Sequence, residues 1–246
     1  MESLSISALA CALAPIAFCA VTDTSLAGHW EGKYKLPDKE FAVAVDLAKS
    51  PSGQWEGSLA LPSERMEDIQ LSDIKVDGAS VLCVSKEKVY AVQGELSGDG
   101  NSIKGGFIAS FLKQVPVPME LRRTANAQVK AAAQSTPVPK ALLGAWTGAV
   151  RYAGATSEID LPKDMVFVVR IELKAGPGGL AEGEMTSPFD PAKKAPLTVI
   201  ATEAGGVRLE SRGTGSVFIG RVHGDEIAGE WKQFGADAAS LVLKRP

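Results

Sequence analysis

Leu26-Ala27-Gly28-His29-Trp30-Glu31-Gly32, near the beginning of the chain, has a counterpart in Leu142-Leu143-Gly144-Ala145-Trp146-Thr147-Gly148. Each stretch opens a segment that ends on arginine, through Glu120-Leu121-Arg122-Arg123 in the first case and Leu243-Lys244-Arg245 in the second. A shared beginning and a shared end indicate an internal repeat. We therefore predict two copies of one domain, and we expect any residue essential to the chemistry of both copies to recur in both.

The composition narrows the fold class and the partners. The chain has 246 residues, of which 45% are hydrophobic and 22% are charged, with 25 glycines and 14 prolines. The apolar residues are mainly Val, Leu, Ala and Ile, and together with many turn-forming residues they favour short strands over helices. The formal net charge is -3, with acidic and basic residues interspersed, so the sequence lacks the basic stripe typical of nucleic-acid binding. We predict an all-β protein that does not bind nucleic acid.

Residues 1–25 precede the first copy and carry a targeting signal in our interpretation. The 18-residue run from Leu4 to Val21 is apolar and rich in small residues, as in the central region of a secretory signal peptide. Glu2 stands where a positive charge is usual, and Ser25-Leu26-Ala27 offers a cleavage site. The alternatives are a buried N-terminal helix and a short membrane anchor. We expect a secreted or periplasmic protein that touches the membrane only through this segment.

Alternating apolar residues predict the same strand and the same turn in both copies. The period of two is typical of a strand with one buried face. The alternating residues are Phe41, Val43, Val45 and Leu47 in the first copy and Phe167, Val169, Ile171 and Leu173 in the second. Pro and Gly then predict a hairpin turn at 50–53 and at 176–179.

A second shared hairpin follows further along each copy. Residues 94–99 align with 220–225, where Asp and Gly supply a tight connection. Counting such runs gives about eight strands per copy, at which an up-and-down sheet can close into a barrel. We predict two tandem antiparallel, lipocalin-like barrels at 26–123 and 141–246. A pair of immunoglobulin-like sandwiches is the competing fold, which the meander of hairpins disfavours.

Residues 124–140 form the predicted linker between the barrels. Ala131-Ala132-Ala133 favours a short helix, and Pro137-Val138-Pro139 favours an extended spacer that holds the domains apart. The alternative is that the domains dock face to face through their outer strands. Four apolar outward positions would suit that docking: Ala42, Ala44, Val166 and Val168. About ten extra residues around 153–162 are predicted to form a surface loop of the second copy.

A tryptophan in the first strand and an arginine at the end of the last strand should meet where a closed barrel joins its terminal strands. The predicted pairs are Trp30 with Arg123 and Trp146 with Arg245. An arginine over a tryptophan ring gains about 0.5 to 2 kcal/mol and closes one end of the barrel. Gly28-x-Trp30 with Arg123, repeated as Gly144-x-Trp146 with Arg245, resembles the lipocalin and avidin superfamily.

The chain is also similar to a repeat domain of bacterial exported proteins that is about one hundred residues long. Its pattern is Gly-x-Trp, then Asp-Gly beside a strand pair, then Gly-x-Trp-x-Gln, then Leu-x-Leu-x-Arg. Residues 229–233 and 241–245 match this pattern, whereas the first copy has Phe107 in place of the tryptophan and ends on 119–123. The resemblance implies an accessory, non-catalytic domain.

Reactive residues seldom recur in the two copies. His29 and His223 align with Ala145 and Ser97, so neither histidine is shared. A zinc site needs three or four convergent ligands, and this sequence does not supply them in a recognisable spacing. Motifs for a nucleophile elbow, a phosphate loop and a helical zinc site are missing from the sequence as well. We expect no metal, no cofactor and no catalytic activity.

The acidic residues that do recur have structural explanations. Asp99 and Asp225 fall in predicted turns, where a carboxylate hydrogen-bonds the local backbone, and Glu56 and Glu182 alternate outwards. Cys83 lies in an apolar run and is predicted to be buried and inert. Five aromatic residues either fill the barrels or line a ligand cup: Trp55, Tyr90, Phe107, Phe218 and Trp231.

Three hypotheses of function follow. The first is a non-catalytic, exported two-barrel protein that binds a small apolar ligand or an envelope protein. The second is a structural or interaction module whose barrels are filled with side chains, and the third is a small enzyme with a carboxylate at a barrel mouth. A sealed interior would favour the second hypothesis, and a cleft with convergent acidic residues or histidine would favour the third.

Overall fold

The computed structural model describes the chain from residue 26 onwards, with short gaps. The described ranges are 26–37, 39–110, 115–151, 166–186, 193–203, 205–233 and 236–246. The predicted targeting segment at 1–25 and the predicted loop at 153–162 lie outside them. Within these ranges the protein is all-β, and no helix is long or apolar enough to span a membrane.

Eight antiparallel strands close the first barrel, each paired with the next and the last with the first. They are β1 (Gly28–Lys35), β2 (Glu40–Lys49), β3 (Trp55–Leu61), β4 (Met66–Asp77), β5 (Ser80–Ser85), β6 (Tyr90–Leu96), β7 (Ser102–Ala109) and β8 (Val117–Ala125). The closing pair β1 and β8 sets Trp30 directly opposite Arg123. The predicted up-and-down barrel is confirmed for this copy.

The second copy forms a nine-stranded sheet in the order β12-β11-β10-β9-β17-β16-β15-β14-β13. Its strands are β9 (Gly144–Arg151), β10 (Val166–Ala175), β11 (Ala181–Thr186), β12 (Lys194–Pro196), β13 (Val199–Glu203), β14 (Gly206–Ser211), β15 (Ser216–His223), β16 (Glu226–Gln233) and β17 (Ala239–Lys244). The two copies therefore share the same antiparallel meander.

The ninth strand arises because one strand of the second barrel is broken. Between β12 and β13, Leu197 N donates to Gly183 O at 2.8 Å and Thr198 N donates to Glu210 O at 2.7 Å. The same short segment thus pairs with β11 on one side and with β14 on the other. Strands β12 and β13 together take the place that the continuous β4 holds in the first barrel. The second copy is consequently a barrel of the same plan with a bent fourth strand.

Both predicted Pro and Gly hairpins are present. Residues 50–54 join β2 to β3 and residues 176–180 join β10 to β11. In both turns a glycine adopts a positive φ, +81° at Gly53 and +67° at Gly178. Residues with a Cβ rarely adopt this backbone conformation, so the glycines explain why the chain reverses at the same point in both copies.

Large side chains fill the interior of each barrel. In the first barrel Trp30, Tyr34, Tyr90 and Phe107 are at most 1% exposed. The rings of Tyr34 and Phe107 stack with centroids 4.5 Å apart, and Phe107 stacks on Tyr90 at 6.0 Å. The second barrel buries three comparable side chains: Trp146, Phe218 and Trp231. Of the five aromatic residues singled out from the sequence, Trp55 is only partly buried, at the margin of the core.

The linker does not hold the barrels apart, and that prediction is wrong. Gln128 N donates to Asp46 Oδ1 at 2.7 Å and Lys130 N donates to Ser58 Oγ at 3.2 Å, so its first half lies on the first barrel. Further on, Thr136 N donates to Ile200 O at 3.0 Å. The alanine stretch is not helical. The backbone N–H groups of Gln128, Lys130 and Thr136, which would bond within a helix, bond here to residues of the two barrels.

The barrels dock end to face, not face to face as the alternative prediction had it. The β1–β2, β3–β4 and β5–β6 connections lie at one end of the first barrel, and this end meets the outward side of β14–β16. Val217, which points outwards from β15, packs into the core of the first barrel. An open barrel end exposes apolar side chains, and Val217 covers them. The predicted docking residues Val166 and Val168 remain 45% and 43% exposed.

Candidate functional site at the barrel junction

Charged side chains from both barrels meet where the first barrel ends on the second. We call them the junction cluster, which consists of Glu64, Glu87, Arg208, Glu210, Arg212 and Lys232. The first barrel contributes its β3–β4 and β5–β6 connections. The second contributes outward residues of β14 and β16, together with Arg212 of the β14–β15 connection. The pairing of Glu210 with Val217 and of Val217 with Lys232 places these strand residues on one face of the sheet.

Arg212 is the centre of the junction cluster, with its side chain only 3% exposed. Its Nη1 donates to Glu87 Oε1 at 2.9 Å and its Nη2 to Glu67 O at 3.4 Å, both on the first barrel. Its Nε lies 3.6 Å from Glu210 Oε2. Arg208 donates to the other oxygen of Glu210 at 2.7 Å and also to the backbone oxygen of Arg65. Two guanidinium groups thus bind a fully buried carboxylate while they reach across to the first barrel.

The second half of the junction cluster surrounds Glu64, which is fully buried. Tyr34 Oη donates to Glu64 Oε1 at 3.4 Å, and Lys232 Nζ lies 3.8 Å from Glu64 Oε2. Nearby, Tyr90 Oη donates to the backbone oxygen of Arg212 at 3.4 Å. Burial, with a further contribution from the negative charge of Glu64, raises the pKa of Tyr90 well above its ordinary value. Tyr90 therefore stays a neutral donor in this contact.

The charges of the junction cluster balance. Three carboxylates face three cations, so each buried charge has an opposite neighbour. Desolvation makes such pairs expensive, and their best-attested role is to fix one arrangement among several. Exposed pairs complete the rim, with Arg65 2.7 Å from Glu230 and Lys39 3.1 Å from Asp237. This arrangement is suited to locking the orientation of the barrels.

The predicted tryptophan and arginine pairs lie near the beginning of the first strand of each barrel. In the first barrel this is the end opposite to the β1–β2 connection, which lies at the junction. The Arg123 guanidinium is 4.7 Å from the Trp30 ring centroid, and that of Arg245 is 4.4 Å from the Trp146 ring centroid. Arg123 also donates to Ala27 O at 2.7 Å and to Gly100 O at 2.8 Å. Each arginine therefore covers a buried indole and ties the chain ends of its barrel together.

Replacing Arg123 or Arg245 by lysine is expected to lower the free energy of unfolding by about 1 to 2 kcal/mol. Lysine keeps the charge, but it cannot stack a planar group on the ring and bind two backbone oxygens together. Urea unfolding followed by tryptophan fluorescence measures the change. The control is Arg122→Lys, since the Arg122 side chain is 77% exposed. Equal effects at Arg122 and Arg123 would contradict the role given to the pairs.

The shared acidic residues lie apart from one another. Asp99 Oδ1 accepts hydrogen bonds from Ser97 Oγ at 2.5 Å and from Asn101 N at 3.1 Å, which lowers the pKa of Asp99. Asp225 lies 3.7 Å from the Nε of Arg245, and Glu56 and Glu182 are exposed. These positions agree with turn and surface roles.

His29, His223 and Cys83 were also singled out from the sequence, and of these His223 is exposed at the end of β15. His29 Nδ1 lies 2.9 Å from Asp46 Oδ1 and its Nε2 lies 3.3 Å from Glu31 Oε1. Burial works against the charged imidazole, but the hydrogen bonds to these two carboxylates outweigh it and raise the pKa of His29. Burial raises the pKa of the Cys83 thiol to about 12, so the reactive thiolate is scarce at neutral pH.

Open depressions on the described surface lie outside the barrels. A groove of about 630 Å³ crosses β4–β7 past Lys75, Gln93 and Lys104, and a neighbouring one of about 540 Å³ shares Lys104 with it. A third, of about 300 Å³, lies beside Lys174 on the second barrel. All three are shallow, and their linings mix apolar side chains with charged side chains of both signs.

No protein-family model and no curated protein matches the chain. Solved structures similar to the chain include two with low sequence identity. One is a protein of Bacteroides fragilis provisionally assigned to the outer membrane, with 11% identity over 90% of this chain and 98% of that chain and a TM-score of 0.28. The other is a protein of unknown function from the DUF3598 family of Nostoc punctiforme, with 12% identity over 89% and 94% and a TM-score of 0.28. Likeness of this degree carries no argument about function.

Sequence reasoning did not find the junction cluster. Arg208, Glu210 and Arg212 alternate with the apolar Val207 and Leu209, which is the ordinary pattern of a strand with one face in solvent. Nothing in that pattern distinguishes a charge that water surrounds from a charge that another domain buries. The signal lies only in contacts between residues far apart in the chain.

Proposed function

We propose that the protein is a non-catalytic interaction module, in which two barrels locked together present their outer surfaces to a partner. The observation that carries the proposal is the filled interior of the barrels. Trp30, Tyr34, Tyr90 and Phe107 occupy the first barrel, and Trp146, Phe218 and Trp231 occupy the second, each at most 1% exposed. A barrel of about eight strands is only just wide enough for its own side chains or for one small ligand.

Two further observations support this proposal over ligand binding and catalysis. A small apolar ligand in the first barrel would have to displace the stacked rings of Tyr34 and Phe107. The buried charges of the junction cluster are paired with one another and are not directed into a cleft. The similarity to the repeat domain of exported proteins, and the apolar run from Leu4 to Val21, favour a secreted or periplasmic accessory protein.

An apolar fluorescent probe tests the proposal. The wild-type chain titrated with a benzene-sized fluorescent probe, fluorobenzene followed by its own emission or by the shift in melting temperature, is expected to show no saturable binding, whereas Phe107→Ala is expected to gain it. Phe107 is fully buried, and its removal leaves an apolar cavity of the kind that admits small aromatic molecules. This variant is the positive control, because binding to it would show that the probe can enter a barrel that contains a cavity.

Native mass spectrometry of the purified chain, before and after denaturing extraction, provides the second measurement. The proposal expects one mass under both conditions. A small molecule that is released on extraction, or saturable probe binding by the wild type at one site per barrel, would overturn the filled-barrel module. Either result would favour the small apolar ligand instead.

A further inference from the structure

The second barrel exposes an apolar patch on the outer side of β9, β10 and β17. Val166 and Val168 on β10 and Val242 on β17 are 41% to 45% exposed. Val168 pairs across the strands with Ala149 of β9, which is also exposed, and Val242 pairs with Ala228 of β16. Val168, Ala149, Val242 and Ala228 follow one line across adjacent strands, and Val166 lies two residues from Val168 on β10. An exposed cluster of this kind on a soluble barrel marks a contact surface.

Three arginines border this patch. The strand register places Arg151 directly opposite Val166, Arg221 opposite Ala228, and Arg170 two residues beyond Val168 on the same strand. None of the three has an ion-pair partner within the described part of the chain. Their long apolar stems can lie along the valines while the guanidinium groups project outwards.

Within the described ranges, the positive charge of these arginines is not compensated by acidic residues on the same strands. The acidic residues that the described ranges place on β9, β10 and β15–β17 each have a cation beside them already. Glu172 lies 3.2 Å from Lys174, Glu226 lies 2.5 Å from Lys244, and Glu230 lies 2.7 Å from Arg65. Among the described residues, the face therefore combines an apolar centre with three positive charges that form no ion pair, although the chain as a whole has a net charge of -3.

A second copy of the chain and a protein partner both fit this face poorly. A twofold dimer through the patch would set the three arginines of one copy against the arginine-bordered patch of the other, so the two like-charged surfaces would repel. Protein interfaces concentrate their binding energy in large anchors such as Trp and Tyr that enter pockets. The centre of this patch has only valine and alanine.

We infer that this arginine-bordered face binds the surface of an anionic phospholipid bilayer. The valines enter the boundary between headgroups and acyl chains, and the guanidinium groups bind lipid phosphates in pairs of hydrogen bonds. The inference rests on the proposed function and names a partner for it. It adds a second membrane contact to the one expected of the N-terminal segment.

Vesicle co-sedimentation of the full chain at low salt tests this inference. Vesicles of phosphatidylcholine alone are compared with vesicles in which about a third of the lipid is phosphatidylglycerol, a strongly anionic surface. The measured quantity is the ratio of the two partition coefficients, because the N-terminal segment contributes to both. The triple variant Arg151→Gln, Arg170→Gln and Arg221→Gln is expected to lower that ratio on the order of a hundredfold, or roughly fivefold per arginine.

A matched variant removes the same charge from the first barrel through Lys33→Gln, Lys35→Gln and Lys104→Gln, and it is expected to keep most of the preference for anionic lipid. A second variant, Val168→Glu, is expected to lose that preference with an unchanged melting temperature, since Val168 is 43% exposed. Equal losses in the two triple variants would overturn the inference. A dimer that Val168→Glu dissociates without lipid would overturn it in favour of a second copy. Both results leave the probe experiment on Phe107→Ala unaffected, so the two proposals fail separately.

Discussion

Replacement of Arg212 by methionine is expected to lower the free energy of unfolding by about 3 to 5 kcal/mol. Methionine fills much of the same volume but removes the charge that lies between Glu87 of the first barrel and Glu210 of the second. Glu210 is fully buried, so water cannot replace the lost interaction, and Arg208 is the cation that remains beside it. Chemical denaturation followed by circular dichroism measures the loss.

Two further variants separate this effect from the simple loss of an ion pair. Lys39→Met also breaks a pair between the barrels, with Asp237, but those side chains are 42% and 87% exposed, and the expected change is below about 1 kcal/mol. Removal of both charges in Arg212→Met with Glu210→Leu is expected to restore part of the stability. If Arg212→Met and Lys39→Met had the same small effect, the junction cluster would contribute nothing to the docking.

Gly105→Ala is expected to destabilise the first barrel by about 3 kcal/mol, because its strands leave no room for a side chain there. A Cβ at this position would lie 2.0 Å from Gln93 O and 2.4 Å from the Cα of Gly94, its cross-strand partner. Both obstacles are backbone atoms, so relief requires β6 and β7 to separate. Thermal unfolding measures the loss.

The repeat supplies an internal replicate of this prediction. In the second barrel Gly229 faces Gly220, and a Cβ on Gly229 would lie 2.1 Å from Ile219 O. Gly229→Ala is therefore expected to destabilise the second barrel to a similar extent. The control is Gly98→Ala, whose Cβ would meet nothing within 4 Å, and its expected change is within about 0.5 kcal/mol. Comparable losses at Gly98 and Gly105 would contradict the packing argument.

Local patterns account for most of what could be predicted of each barrel. The alternation from Phe41 to Leu47 fixes which side chains of β2 face the core, because side chains of a strand alternate between its two faces. The Pro and Gly turns at 50–53 and 176–179 restrict where the chain reverses. No sequence pattern of this kind predicted the break between β12 and β13. Both strands are short, and only the folded chain shows that β12 pairs with β11 while β13 pairs with β14.

The conformation of the linker could not be predicted from its amino-acid composition. Alanines and prolines in isolation favour a helix or an extended spacer. In the folded chain, backbone N–H groups of this segment instead donate hydrogen bonds to Asp46, Ser58 and Ile200. These groups are distant in sequence, and their availability depends on how both barrels fold and dock. A segment of weak intrinsic preference adopts the conformation that the surrounding surfaces stabilise.

The repeat, the all-β fold of each copy, its hairpins and its tryptophan and arginine pair could be predicted from the amino-acid pattern, because they follow from periodicity and turn chemistry within one copy. The docking of the barrels and the positions of Val217 and the junction cluster became evident from the folded chain alone. Burial of a charge such as Glu210 depends on surfaces supplied from more than a hundred residues away, and no local pattern records them.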